Sequence, residues 1–212
     1  MRYLKMLGLA VMAAAAAMAF IGAGTASATV LCENNQTTGC TSKHAVTSTE
    51  SFSLVKGTLA ELYTTGGITE DSCMGSTFVV NITNAGSSSA TVVGSITAAN
   101  LSWSTCTSTT VTLTGGELEI HSIFGSDNGT VTAKGFAVTV TTAFDCAYGA
   151  GTGIHLGTFT PNTSTGLGGT LAINTVVKRN NEHSNVFCPE TAKWVANYTQ
   201  TSTTAIKAVS AS

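Results

Sequence analysis

Gly116-Glu117-Leu118-Glu119-Ile120-His121-Ser122 and, beyond Asp127-Asn128-Gly129, Thr130-Val131-Thr132-Ala133 decide how this chain is read. Polar and apolar side chains alternate in both stretches, the period of a strand with one face buried. Asn-Gly between alternating runs is a hairpin signal, because Asn tolerates positive φ and Gly prefers it. Residues 120–124 and 131–134 are therefore expected to pair across a tight two-residue turn.

The same pattern extends outward. Phe136 to Thr141 alternates without a break. Further strand candidates are 51–56, 58–63, 77–83, 90–96, 100–103, 109–114, 117–124, 153–159, 170–178 and 193–201. Thr, Val, Ile, Phe and Tyr in these runs suit a pleated, half-buried surface. Turn signals separate them: Lys56-Gly57, Gly66-Gly67, Asn84-Ala85-Gly86, Gly115-Gly116 and Pro161-Asn162. No long window past Ala28 has helical periodicity with caps. The fold class expected is all-β, an antiparallel β-sandwich of Ig-like or jelly-roll-like type. Trp194 and Tyr198, an even number of positions apart, are expected to share a buried face. Trp103, Tyr148 and Phe187 are expected in the core with them.

The start of the chain reads differently. Arg2 and Lys5 precede an apolar run, 7–24, and Ala26-Ser27-Ala28 ends it with small residues. Charged start, apolar middle and small-residue exit make a secretory signal peptide, expected to be helical and cleaved after Ala28. The chain then divides into 1–28, the leader, and 29–212, one secreted domain with no transmembrane segment left. Cys32 follows Leu31, not the small residue a lipid-modified cysteine takes.

All six cysteines, Cys32, Cys40, Cys73, Cys106, Cys146 and Cys188, lie past the leader. An even number in an exported chain points to disulfides, and the short paired spacings of zinc sites are missing. Sequence alone does not choose the connectivity. The sequential pairing, Cys32–Cys40, Cys73–Cys106 and Cys146–Cys188, is the expectation.

Only 9% of the 212 residues are charged, and the formal net charge is −2. An average domain carries about 25% charge. The balance excludes a basic nucleic-acid binder and leaves little material for acid/base chemistry. No cofactor or metal is expected.

Candidate sites are few. On a strand, Glu117, Glu119 and His121 share one face, and two carboxylates with an imidazole could bind a metal or do acid/base work. The plainer reading is the wet face of a strand whose other face is Leu118 and Ile120. His155 is read as a solvent-facing strand residue, and His44 and His183 as loop residues. Gly86-Ser87-Ser88-Ser89 lacks the closing Gly and the helix of a nucleophile elbow. Asp127-Asn128 offers one carboxylate, too little for calcium.

Several strings have a familiar look: Gly116 to His121, Asp127 to Thr132, Cys146-Ala147-Tyr148-Gly149, Leu156-Gly157-Thr158, Cys188-Pro189, Trp194 and Tyr198. Together they resemble a group of small secreted proteins of soil actinobacteria with no assigned activity. The resemblance implies export and an all-β fold. Thr58-Leu59, and Cys73 through Thr105-Cys106 with Val93-Gly94 and Ile96 between, are similar to secreted pseudomonad proteins named as activators of alkane oxidation. That likeness implies a non-catalytic extracellular helper.

The expected function is a secreted, non-catalytic, extracellular protein with a structural, adhesive or surface-interaction role. Its expected partners are cell-wall polymer, glycan or a hydrophobic surface. The alternatives are a glycan- or apolar-ligand-binding module and a hydrolase built on Glu117, Glu119 and His121.

Overall fold

The computed structural model describes residues 29–33, 40, 42–108, 110–123, 126–141, 143–150, 153–162 and 168–210. The expected leader, with its boundary at 28, lies outside the described residues. What is described is antiparallel β-structure: β1 (Thr29–Glu33), β2 (Thr49–Leu54), β3 (Ala60–Thr64), β4 (Thr69–Ser87), β5 (Ala90–Ile96), β6 (Leu101–Cys106), β7 (Thr110–Leu113) and β8 (Gly116–Ser122). It continues with β9 (Gly129–Lys134), β10 (Phe136–Thr141), β11 (Asp145–Ala150), β12 (Ile154–Thr160), β13 (Thr170–Arg179), β14 (Thr191–Gln200) and β15 (Ile206–Ser210). A single turn of 3-10 helix, Ala98–Asn100, separates β5 from β6. No helix among the described residues is long and apolar enough to cross a membrane.

The strands join end to end into eight staves. β2 and β3 form one, since both pair with β4 on one side and β14 on the other. β4 is the second, and β5 with β6 the third. β7 with β8, β9 with β10, and β11 with β12 follow as neighbours. β13 and β14 complete the circuit, and β14 returns to the first stave through Tyr198↔Leu54 and Trp194↔Leu62. The sheet thus closes as an eight-strand up-and-down barrel, not as the Ig-like or jelly-roll-like sandwich expected. Alternation and turn spacing are the same for both; only the distant pairing of β14 with β2 and β3 separates them.

Most side chains inside the barrel are apolar and most of those outside are polar. On β13, Leu171, Ile173, Thr175 and Val177 are buried, while Thr170, Ala172, Asn174 and Lys178 face water. Phe52 stacks on Phe78 at 4.9 Å, and Tyr198 meets Phe78 edge-on at 4.9 Å. Trp194 and Tyr198 are buried on one face, as their spacing predicts. β1 and β15 pair with each other and lie over one end, hereafter the upper end, where Leu31 and Ile206 close the core.

The hairpin of β8 and β9 pairs Ile120 with Val131, as expected, but not through a two-residue turn. The last pair is Ser122↔Gly129, and six residues, 123–128, connect them. Gly129 is not in a positive-φ conformation; it is small because a Cβ there would lie 2.8 Å from Ile120 Cγ2 and 3.1 Å from Ala208 Cβ. Close packing of β15 against the hairpin, not turn geometry, requires this glycine.

The three disulfides are Cys32–Cys40, Cys73–Cys106 and Cys146–Cys188.

Candidate functional site

Glu117, Glu119 and His121 do share one face of β8. His121 Nε2 lies 3.6 Å from Glu119 Oε2 and 3.5 Å from Thr132 Oγ1, and Lys134 Nζ lies 3.8 Å from Glu117 Oε2. The face is the outside of the barrel: Leu118 points in, and Glu117 and Lys134 are each half-exposed. Such ion pairs are weak because water screens them. His155 faces solvent as expected.

His44 does not lie in a wet loop; it is buried. Its ring sits between β1 and the barrel wall, with Nδ1 3.3 Å from Glu33 Oε1 and Nε2 2.9 Å from Glu50 Oε1. Ser48 Oγ is 2.6 Å from the same Nε2. Glu33, His44 and Ser48 have the spacing of a nucleophile triad, and Thr47 beside them holds a positive φ of 74°. The Ser48 hydroxyl decides against that reading. It donates to Ala45 O at 2.6 Å, so its proton is directed away from the ring. The Glu50 carboxylate beside the ring is itself held by Gln200 Nε2 at 2.7 Å and by the Ser202 hydroxyl. The cluster is a clasp that fastens β1 to β2 and β14.

The lower end, away from β1 and β15, carries the loops after β3, β6, β10 and β13. Three of them display large apolar side chains: Ile68 is 71% exposed, Phe144 45%, Val186 82% and Phe187 75%. Phe144 and Phe187 touch, ring centres 5.4 Å apart. Phe187 was expected in the core and is instead held outside it.

The loop that holds it is well tied. Arg179 donates from Nη1 to Cys188 O at 2.5 Å and from Nε to Asn181 Oδ1 at 2.8 Å. Ser184 Oγ donates to Ala147 O at 2.8 Å, and Asn185 N–H donates to Asp145 O at 3.0 Å. Phe187 N–H donates to Asn185 Oδ1 at 3.1 Å, and the Cys146–Cys188 bond closes the base. The apolar tips are thus presented by a fixed frame, which lowers the entropy cost of any contact they make. The signal in the sequence was Val186-Phe187 inside the polar run 180–190, where no strand can bury them.

Inside the lower end, Tyr148 hydroxyl donates to Glu70 Oε1 at 3.0 Å. Burial pushes the Glu70 carboxyl above its ordinary range, and the Tyr148 bond partly offsets this. Tyr148 is pushed up as well, by burial and then by Glu70. Asp71 accepts from Thr107 Oγ1 and Ser108 N–H, both at 2.9 Å. Asp71, Cys73 and Cys106 come close enough together to suggest a metal site, but the two sulfurs are bonded to each other and offer no thiolate.

Comparison with protein families, curated proteins and solved structures yields no match. The class that the fold and site define is a disulfide-stapled antiparallel barrel with an apolar rim.

Proposed function

We propose that this chain is an exported, non-catalytic protein that makes contact with apolar surfaces through the lower rim of its barrel. The observation that carries the reading is the exposed Phe144–Phe187 pair with Val186 and Ile68 on loops of the same end. Exposed apolar groups gathered on one end mark a contact site. Burying one such side chain yields roughly 1.5–3 kcal/mol. Three or four together give reversible adsorption.

Three disulfides and a signal-peptide-like start support an oxidising exterior as the place of action. The outward strand faces, rich in Thr, Asn and Lys, favour a barrel standing in water. A membrane-spanning barrel alternates the other way, apolar outside. Low charge suits contact with hydrophobic matter, since few ions need to be stripped of water. The hydrolase reading has the weaker footing, because Glu117, Glu119 and His121 lie on an open convex face.

Retention on octyl-coated beads tests the proposal. The double variant Val186→Ser/Phe187→Ser should lose retention at least tenfold, and Val46→Ser at the opposite end should not. Equal retention of all three proteins would overturn it.

A further inference from the structure

Glu70 and Tyr148 meet across the lower mouth of the barrel. β4 carries the one and β11 the other, and these strands lie opposite each other in the circuit. Four steps lead from β4 to the β11–β12 stave in either direction, through β5–β6, β7–β8 and β9–β10 or through β2–β3, β14 and β13. An eight-strand barrel is narrow enough for two long side chains to touch across it. Glu70 reaches inward because of a bulge. Leu62 pairs with Asp71 but Tyr63 with Thr69, so Glu70 is an extra residue opposite no residue of β3. A bulge re-aims the side chain it carries.

Both ends of this crossbar are rooted beside the apolar rim. Ile68 precedes Glu70 by two residues. Phe144 precedes Tyr148 by four, and Cys146 between them is bonded to Cys188, next to Phe187. The crossbar therefore ties the Ile68 side of the rim to the Phe144–Phe187 side. Tyr148 donates to Glu70 Oε1, and Oε2 is buried without a partner. A neutral carboxyl tolerates that place; a carboxylate there is a charge withdrawn from water with one hydrogen bond. The cation on the same inner face is Arg179, register partner of Tyr148 on β13. Its guanidinium holds the rim frame through Cys188 O and Asn181 Oδ1. Asp71, the next inward carboxylate of β4, already accepts from Thr107 and Ser108. On β3, Glu61 accepts from the Tyr63 hydroxyl. Asp145, Lys178, Glu182, His183, Glu190 and Lys193 face solvent.

We infer that the Glu70–Tyr148 crossbar is a proton-controlled brace of the apolar rim. With Glu70 protonated, the bar spans the mouth and Arg179 stays on the frame. With Glu70 ionised, the carboxylate draws Arg179 away from Cys188 O, and the loop carrying Val186 and Phe187 loosens. The rim then grips apolar surfaces better in acid than in alkali. This last step rests on the rim's role in adsorption; the brace itself does not. Burial holds the Glu70 carboxyl above its ordinary range, so the change falls on the alkaline side of an ordinary glutamate's.

Amide hydrogen exchange on the full-length protein, as secreted, tests the brace. Protection factors, corrected for intrinsic exchange, are read at Asn185, Phe187 and Cys188, whose N–H groups bond within the frame. From about pH 4 to about pH 8 they should fall roughly fivefold in the parent and stay level in Glu70→Gln. Retention on octyl-coated beads should follow the same profile in both proteins. Tyr148→Phe removes the bond that pulls the Glu70 value down, so the midpoint of the fall should move to higher pH. That variant carries the test should Glu70→Gln fail to fold. Level protection in the parent, an equal fall in Glu70→Gln, or an unmoved midpoint in Tyr148→Phe would overturn the brace. Protection that falls as expected, with beads that retain nothing at any pH, would support the brace and overturn the rim reading instead.

Discussion

Cys73 and Cys106 are direct register partners on β4 and β6, and their bonded sulfurs fasten the one edge of β6 that has a neighbour. With no ladder to β7, this strand depends on β4 and on that bond. Replacing both cysteines by alanine should cost about 3–4 kcal/mol by the loop-closure argument. Amide exchange should speed up in β6 far more than in β13, which is paired on both sides. Uniform acceleration across the barrel would contradict this.

Glu70 makes stability depend on pH. Burial raises its folded pKa above the unfolded value, so the folded state keeps the proton longer. Full stability is present below the unfolded carboxylate range, and part is lost as pH rises through the raised folded value. Glu70→Gln keeps an acceptor for Tyr148 and removes the charge. Its melting temperature should exceed that of the parent at about pH 8 and match it at about pH 3, by differential scanning calorimetry. Tyr198, pushed up to about 12 by burial, acts in the same sense at the alkaline end. Its contribution is present below the unfolded value and fades toward pH 12.

The clasp should be the most sensitive polar spot. Glu50→Ala removes the carboxylate beside His44 Nε2 and the acceptor of Gln200 Nε2 in a buried place. Breaking a buried pair by removing one partner costs about 3–5 kcal/mol, readable in urea denaturation. A loss below about 1 kcal/mol would mean that water reaches the cluster.

The strand face of β8 should be nearly silent. Glu117→Gln, Glu119→Gln and His121→Gln should each leave stability within about 0.5 kcal/mol and leave retention on octyl beads unchanged. Thermal melts and the bead assay check both.

Much of the strand pattern is legible in the chain, because alternation reports which face is wet. Phe136 to Thr141 and Thr191 to Gln200 show it in the burial of every second residue. Closure is not legible, since the pairing of β14 with β2 joins residues far apart in sequence. β1, β11 and β15 escape a strand reading because Cys32, Asp145, Gly149 and Lys207 interrupt the pattern, and their pairing comes from partners elsewhere in the chain. β4 runs from Thr69 to Ser87, well past the expected 77–83, because its Asp, Ser and Gly residues look like a loop until neighbours on both sides pair with it. Glu117, Glu119 and His121 fall on one face because period two requires it. The burial of His44 depends on Glu33 and Glu50 arriving from separate strands. The apolar rim is not legible: Phe187 reads as a core aromatic, and its exposure follows only from the frame that Arg179 and Cys188 build.

Hydroxyl-radical footprinting of the protein adsorbed on octyl-coated beads tests the central claim most directly. Phe144, Val186, Phe187 and Ile68 should be protected relative to free protein, with Val46 and Ile123 at the other end still labelled. Protection of the upper end, or of the outer face of β8, with the lower rim left open to labelling would contradict it.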